Sequence, residues 1–530
     1  MKKIILLITM ALFVFPVLAQ QLDLEKTYEI TGKAKRGALA RVEQDPTSGD
    51  YTLYYVTKSR ESFMKFQIYT FDKDFNYKDM KEDEVEFDKV KTKYTWYIWN
   101  GELYSVEGNY VEPNLVGTLV LKKKKITYKY DWFFLGYYKT TDILDKVKPK
   151  TDDGRKFYYL SHVEDDKTGD IIVFCGVKGG KGAEAPVNHF KELTFLKFNK
   201  DLELVKELKV PANYIQSLVM SRGIDKYYED DPDNPGIGGM VVITAPMGGP
   251  GMNKFADEDM TNYTYLRIDA DLNLIDNIKF KSAASYWKID EMIVDGAKDD
   301  IYIFGPDAAG KEKYYNMLQG QTKFKAIQLA KFSNHKMEYI TEANLDEIEA
   351  KINCPPSQKK SPAYDGKKFD IKNYYISQNG DFIVSGQNFN TSKEGIKYTD
   401  VIGFQFDPKG VFKAQYGVDT KQTNKYAKAA GAPQDFLESP DGKNLFWLLM
   451  EIKGVAFWGG SKPLTYPRIA KIDLANAKVS DFTDYGYGKD DRDYYLDPKF
   501  PFLNIGKDQI VFFGSNASGK HIWFCRVNLK

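Results

Sequence analysis

Histidine is the scarcest chemical resource in this 530-residue chain. Only His162, His189, His335 and His521 are present, far apart in sequence. They form no His-x-x-x-His or Glu-adjacent pair, so a zinc site or a histidine-activated nucleophile lacks its usual residues. Cysteine is nearly as rare. Cys175, Cys354 and Cys525 make an odd count, which excludes a fully paired disulfide framework and leaves room for one bridge at most. Cys175 and Cys525 sit in apolar runs, the setting of buried thiols. Nine arginines stand against 66 lysines, thin supply for an arginine cluster with a tyrosine nucleophile of the sialidase kind. No Gly-x-Ser-x-Gly elbow and no phosphate loop occurs. Gly236-Ile237-Gly238-Gly239 is too short for a dinucleotide signature. After residue 19 no stretch is apolar and long enough to span a membrane.

A dominant charge is missing too. The chain carries 75 basic and 74 acidic residues. A near-neutral protein has no global field to hold nucleic acid or an anionic membrane. What remains is ordinary globular composition, 43% hydrophobic and 15% aromatic, which excludes a disordered or collagen-like chain.

Residues 1–19 read as a secretory signal peptide. Lys2 and Lys3 form the basic end, Ile4 to Leu18 the apolar run, and Ala19 places a small residue before Gln20. No cysteine near that point offers a lipid attachment site. The expected mature protein is exported, periplasmic or extracellular, with no integral membrane segment, and peripheral to the outer membrane at most.

A repeat runs through residues 20–530, read as a single domain. An apolar strand end, a polar turn rich in Asp, Asn and Lys, and then alternating apolar residues recur about every 65 residues. Phe71-Asp72-Lys73-Asp74, Phe198-Asn199-Lys200-Asp201 and Ile268-Asp269-Ala270-Asp271 are the clearest copies. Phe332-Ser333-Asn334-His335, Phe406-Asp407-Pro408-Lys409-Gly410 and Ile472-Asp473-Leu474-Ala475-Asn476 are weaker ones. Leu121, before Lys122 to Lys125, fills the gap after the first, and Val527-Asn528 ends the series. Each copy follows a Gly or Asp turn with a β-branched and aromatic run behind it, as in Gly169-Asp170-Ile171-Ile172-Val173-Phe174. Such turns supply hairpin geometry, and such runs prefer pleated, half-buried surfaces.

Two hairpins per unit give four antiparallel strands, and radial stacking of such units makes a β-propeller. The expected fold is therefore all-β, with eight four-stranded blades favoured over seven. The last copy stops at its turn, so Leu24 to Ile30 supplies the missing outer strand and closes the ring. In architecture the chain resembles exported bacterial β-propellers. The resemblance covers nearly the whole mature chain, singles out no subfamily and carries over no functional residue. The Ser-x-Asp-x-Gly-x-x-Trp box and the Trp-Asp and Tyr-Trp-Thr-Asp repeat signatures are missing. One short helix is expected from Asn344 to Ile352, with Asn344 as cap and Glu347 three residues on, and a second at 424–430.

With strands lettered a to d from axis to rim, the non-repetitive sequence gathers on one side. The b–c loops are expected at 176–188, 246–260, 305–324, 387–395 and 451–465, and the d–a connections at 141–155, 353–368, 420–433 and 484–499. The c–d turns are minimal, and 221–238 is the one long a–b turn. Long loops are where binding residues concentrate. The binding candidates there are Asp257 and Asp259, Tyr314 and Tyr315, Trp458, and Tyr485, Tyr487 and Arg492. Exposed Tyr, Trp and Arg serve protein hot spots and sugar platforms alike. Asp269 to Asn273 opens like a calcium loop, but Leu274 and Phe280 occupy the required Gly and Glu positions. Asp230-Asp231-Pro232-Asp233-Asn234 and Asp490 to Asp493 read as solvated acidic loops, with calcium binding in an exported protein as the alternative. No catalytic residue, metal or cofactor is assigned.

The expected function is a non-enzymatic binding or scaffold protein of the bacterial cell envelope that holds a protein partner on its loop-rich face. The alternative is a carbohydrate-binding or glycan-processing propeller with sugar stacked over the central channel. N-terminal sequencing of the exported protein should begin at Gln20 or Gln21. Retention of Met1, with the protein in a salt-resistant membrane pellet, would contradict the leader reading.

Overall fold

A computed structural model describes residues 21–530 except 61, 87–88, 95–108, 132–135, 166–167, 178–189, 229–230, 247–261, 283–285, 296–297, 309–323, 367, 394, 421–426, 457–461, 487–492, 507 and 530. Apart from one short parallel pairing, the strands pair antiparallel in seven sheets. One sheet has seven strands and holds two blades, because Leu204–Tyr228 is continuous from the outer edge of blade 3 to the first strand of blade 4. The chain is an eight-bladed β-propeller.

Blade 1 is Ala38–Gln44, Tyr51–Ser59, Phe63–Phe71 and Tyr77–Glu86. Blade 2 shows three strands, Asn109–Pro113, Leu121–Asp131 and Gly136–Val147. Blade 3 opens with Phe157–Glu164, Ile171–Val177 and Phe190–Phe198, and blade 4 ends with Asp231–Pro246, Asn262–Asp269 and Leu274–Lys281. Blade 5 runs from Tyr286–Trp287 and Glu291–Asp295 to Lys336–Asn344. Blade 6 runs from Phe369–Ile376 to Phe412–Val418, and blade 7 from Gln434–Glu438 to Lys478–Val479 and Thr483–Asp484. Blade 8 is Tyr494–Leu496 with Phe502–Ile505, then Gln509–Asn516, His521–Asn528 and, outermost, Gln21–Glu29.

The middle strands explain the ring. Ile171–Val177 is buried at every position, not at alternate ones. Such a strand has apolar side chains on both faces, and each face needs a cover. The covers are the neighbouring blades. Tyr302, Phe304 and Leu329 of blade 5 pack on Phe382, Ile402 and Phe404 of blade 6. Tyr416 and Val418 of blade 6 pack on Trp447 and Leu449 of blade 7. Equivalent clusters join blades 2 and 3, 3 and 4, 4 and 5, 7 and 8, and 8 and 1.

The recurring turn is one structure. In blades 1, 3, 4 and 6 a side-chain oxygen of Asp72, Asn199, Asp269 or Asp407 accepts backbone N–H bonds two and four residues on. The residue three positions on has positive φ, 59° at Phe75, 65° at Leu202, 54° at Leu272 and 78° at Gly410. Left-handed backbone costs a non-glycine residue about 1–3 kcal/mol. Phe75, Leu202 and Leu272 offset it by burying their side chains, worth about 1.5–3 kcal/mol each. Blade 5 uses a two-residue turn, Asn334-His335, both at positive φ.

Ring closure follows the expectation. Gln21–Glu29 pairs antiparallel with His521–Asn528, Trp523 Nε1 donates to Glu25 at 2.7 Å and Arg526 Nε to Asp23 at 2.5 Å. The helix forms at Leu345–Ala350, with Asn344 accepting from Glu347 N. At the second expected helix, the described part is a single 3-10 turn, Ala427–Ala429.

Four expectations need correction. Lys122 to Lys125 are inside a strand paired with Val147–Gly136, not in a turn, and residues 141–147 belong to that same ladder. The 387–395 segment is no loop, because its flanking strands pair down to Ser392 and Gly395. The 451–465 loop is shortened by pairing that reaches Ala456 and Lys462. Residues 221–228 and 231–238 belong to strands paired out to Tyr228 and Asp231. In each case the backbone gains ladder bonds that loop composition conceals.

Removing residues 21–29 should lower the melting temperature and promote aggregation, because it bares the edge of His521–Asn528. Circular dichroism melting and light scattering measure both. A monomer with unchanged melting would show that the pairing is dispensable.

Candidate functional site

The first strands of blades 3, 4 and 5, and those of blades 6 and 7, touch one another. Their polar side chains are spent across the blade boundaries. Ser161 Oγ of blade 3 bonds Ser221 Oγ of blade 4. Arg222 of blade 4 donates to Glu291 of blade 5 at 3.1 Å. Asn373 of blade 6 donates to Asp435 at 3.0 Å and to the Gln434 carbonyl at 3.2 Å in blade 7. Within blade 6, Asp370 takes the Tyr398 hydroxyl at 2.7 Å and Lys372 at 2.6 Å.

Several of these carboxyls hold protons more tightly than usual. Burial raises Asp290, with Lys288 opposing it and Asp370 adding to it. Burial raises Glu291 against the pull of Arg222, and raises Asp435 against its hydrogen bonds. The largest effect lies at the end of the second strand of blade 5. Asp307 is fully buried and pushed up to about 7, first by burial and then by Glu342, with Gln328 opposing. Gln328 Nε2 donates to Asp307 Oδ2, while Oδ1 has no donor. Burial and the nearby Glu342 both favour the protonated form of Asp307. The Lys325 backbone N–H bonds the Asp307 carbonyl at 3.0 Å and Phe324 bonds Gly366 at 2.8 Å. This pair therefore sits at the root of the 309–323 segment.

A cavity of about 590 Å³ opens where the a–b turns of blades 5 to 8 converge. Phe436 and Leu529 give it apolar walls; Lys298, Gln378, Glu438 and Asn504 give it polar ones. Glu438 is already engaged by the Tyr375 hydroxyl at 3.1 Å and the Gln378 N–H at 3.0 Å.

Of the sequence-derived candidates, Asp257, Asp259, Tyr314, Tyr315, Trp458, Tyr487 and Arg492 lie outside the described residues. Tyr485 is described, and it corrects the expectation. It is 4% exposed and packs 6.1 Å from Phe512 between blades 7 and 8. Its ring fills an interface that two apolar strand faces require, so it is not an exposed anchor. The second acidic loop, 490–493, is described only at Asp493. His162 contacts the Tyr159 hydroxyl at 2.7 Å and Glu164 at 3.1 Å, and His335 contacts Asp276 at 3.0 Å. Cys175 and Cys525 are buried, and all three cysteines are free thiols. Among the described residues no group of three or more His, Cys, Asp or Glu is placed to hold a metal ion.

The inner-strand carboxyls escaped the sequence reading. Their one trace is an acidic residue inside a first strand, as at Asp290-Glu291, Asp370 and Asp435. It passes unnoticed in a chain with 74 acidic residues.

No family model matches the chain. No curated protein matches it either. Among solved structures, the N-terminal domain of Nup159 aligns at 8% identity over 96% of this chain and 95% of its own, with a TM-score of 0.27. A Synechocystis apocarotenoid oxygenase aligns at 9% over 94% and 88%, also at 0.27. A Pseudomonas brassicacearum lignostilbene dioxygenase aligns at 11% over 97% and 94%, at 0.22. At these scores the fold rests on the strand pairing itself.

Asp307 makes a pH prediction. A carboxyl with a higher pKa folded than unfolded binds its proton preferentially in the folded state. Its contribution favours folding at acid pH and is lost as pH rises, here between 3.8 and about 7. Asp307→Asn keeps the acceptor for Gln328 and supplies an N–H toward Glu342. The variant should match the wild type near pH 4 and melt higher than it above about pH 7. Parallel melting curves across that range would show that Asp307 is not protonated in the fold.

Proposed function

We propose that this β-propeller is a non-enzymatic, exported binding scaffold of the bacterial cell envelope, with a protein partner held on the face that carries the b–c loops and d–a connections. The observation that supports it most is the use of the inner-strand polar groups. Ser161, Ser221, Arg222, Glu291, Asn373 and Asp435 are bonded to one another across blade boundaries. A wall so committed holds blades in register. Specificity then falls to the loops, where the sequence departs from its repeat.

The alternative, a glycan-processing ring, needs an acid and a second carboxylate open to substrate. Asp307 has the raised pKa that such an acid requires, but it is fully buried. No helix among the described residues is long and apolar enough to cross a membrane. Export rests on the sequence of residues 1–19.

Affinity capture from envelope fractions, with variants compared at matched folded fraction, tests the reading. Trp458→Ala or Tyr487→Ala should weaken capture of a specific partner, by about 2 kcal/mol for a buried aromatic anchor. Lys200→Glu and Asp271→Lys, on c–d turns, should change it by under about 0.5 kcal/mol. Equal losses from both sets, or losses from the turns alone, would place the working surface elsewhere.

A further inference from the structure

Blade 2 shows two pairs of large apolar side chains to solvent. Leu115 and Val116 are 63% and 80% exposed, and Ile143 and Leu144 are 57% and 51% exposed. The first two sit at the tip of the turn between Asn109–Pro113 and Leu121–Asp131. Asn114 fixes that turn with three side-chain bonds, donating to the Val116 and Thr118 carbonyls at 2.6 and 2.7 Å and accepting from Val120 N at 2.6 Å. Tyr159 N bonds the Gly117 carbonyl at 3.0 Å, which anchors the tip to blade 3. Leu119 and Leu121, just behind it, are fully buried. Two apolar side chains are thus held outward on a rigid support.

Strand pairing brings the second apolar pair and a set of cations to the same end of the blade. Lys124 lies opposite Ile143, Lys122 opposite Lys146, and Leu121 opposite Val147. Lys125, Lys146, Lys148 and Lys150 are exposed, while Lys123 and Lys124 are paired with Asp201 and Glu112. Residues 109–156 hold eleven basic residues against six acidic ones, whereas acidic residues lead in the rest of the chain, 68 to 64. A chain without a global field has a local one here. By sequence, Leu121–Asp131 and Gly136–Val147 are joined by Trp132-Phe133-Phe134-Leu135; those four residues lie outside the described set, and the surface is built without them.

We propose that this end of blade 2 docks on the surface of an anionic lipid bilayer, with Leu115 and Val116 entering the headgroup boundary and Lys125, Lys146, Lys148 and Lys150 facing the lipid phosphates. Exposed apolar side chains beside a local lysine excess favour an anionic bilayer over a protein. The tip is already ordered, so insertion loses little conformational freedom. Apolar insertion and lysine attraction add, and neither suffices alone for firm attachment. The inference is independent of the loop-face partner, since it concerns a different surface.

Sedimentation of the mature chain with phosphatidylcholine vesicles, with and without phosphatidylglycerol, tests it. The protein should sediment with the anionic vesicles, stay in solution with the neutral ones, and be released by added salt. Lys146→Glu with Lys148→Glu should weaken binding by at least about tenfold. Leu115→Asp with Val116→Asp should abolish it without changing the melting temperature, because both residues face solvent. Lys200→Glu, on a turn of blade 3, should leave it unchanged. No binding to either vesicle, equal binding to both, or full binding by both double variants would overturn the proposal. Binding to soluble polyglutamate as tight as to vesicles would instead assign the surface to an acidic protein.

Discussion

A strand buried on both faces cannot end a structure. Ile171–Val177 has no solvent side, and the second strands of blades 5 to 8 are built the same way at their cores. A flat stack of such sheets would always leave two apolar faces bare. A ring leaves none, so closure is a requirement of burial in this fold. The remaining features follow from serving that ring. Some polar side chains of the first strands bond across the blade boundaries. Outer strands are amphipathic because one edge meets water. Aromatic residues gather at the interfaces, where Tyr265 stacks on Phe332 at 4.2 Å and Tyr302 on Phe382 at 5.5 Å.

Charges assist the same arrangement where blades meet. Lys197 of blade 3 reaches its own Asp170 at 3.6 Å and the Ala270 carbonyl of blade 4 at 3.0 Å. Lys413 of blade 6 contacts its own Asp381 and the Leu474 carbonyl of blade 7. A lysine near the turn of one blade thus grips the turn of the next. Both contacts are partly buried, and Asp381 itself is buried. Their repetition fixes the angular register between blades that non-directional apolar packing leaves loose.

Much of this was legible in the sequence. The polar turn with an apolar residue three places after Asp or Asn reports a backbone geometry, and Asp72, Asn199, Asp269 and Asp407 fulfil it. The closing strand was legible because the last repeat lacks an outer strand. Blade 2 was misread because its lysine run looks like a turn while lying in a strand that pairs along its length. Composition marks where a strand begins but not where its ladder ends, so paired strand residues within 387–395 and 221–238 passed for loops. Tyr485 shows the limit for sites. An aromatic in a connection reads the same whether it faces water or plugs an interface. The inner-strand carboxyls were hidden for another reason: their raised pKa values come from burial and from residues on other strands, which no local pattern records.

The pairing of Gln21–Glu29 with His521–Asn528 has a consequence for the order of folding. Glu25 and Trp523, which share a hydrogen bond, are 498 residues apart. A chain made from its N-terminus holds one half of this contact long before the other half is made. Blades 1 to 7 can assemble as they emerge, each covering the face of the one before. The first strand must wait outside that progression with its backbone unpaired. Closing so long a loop costs entropy that only the final contacts return. The strand Gln21–Glu29 is thus the element that stays longest without its partner strand.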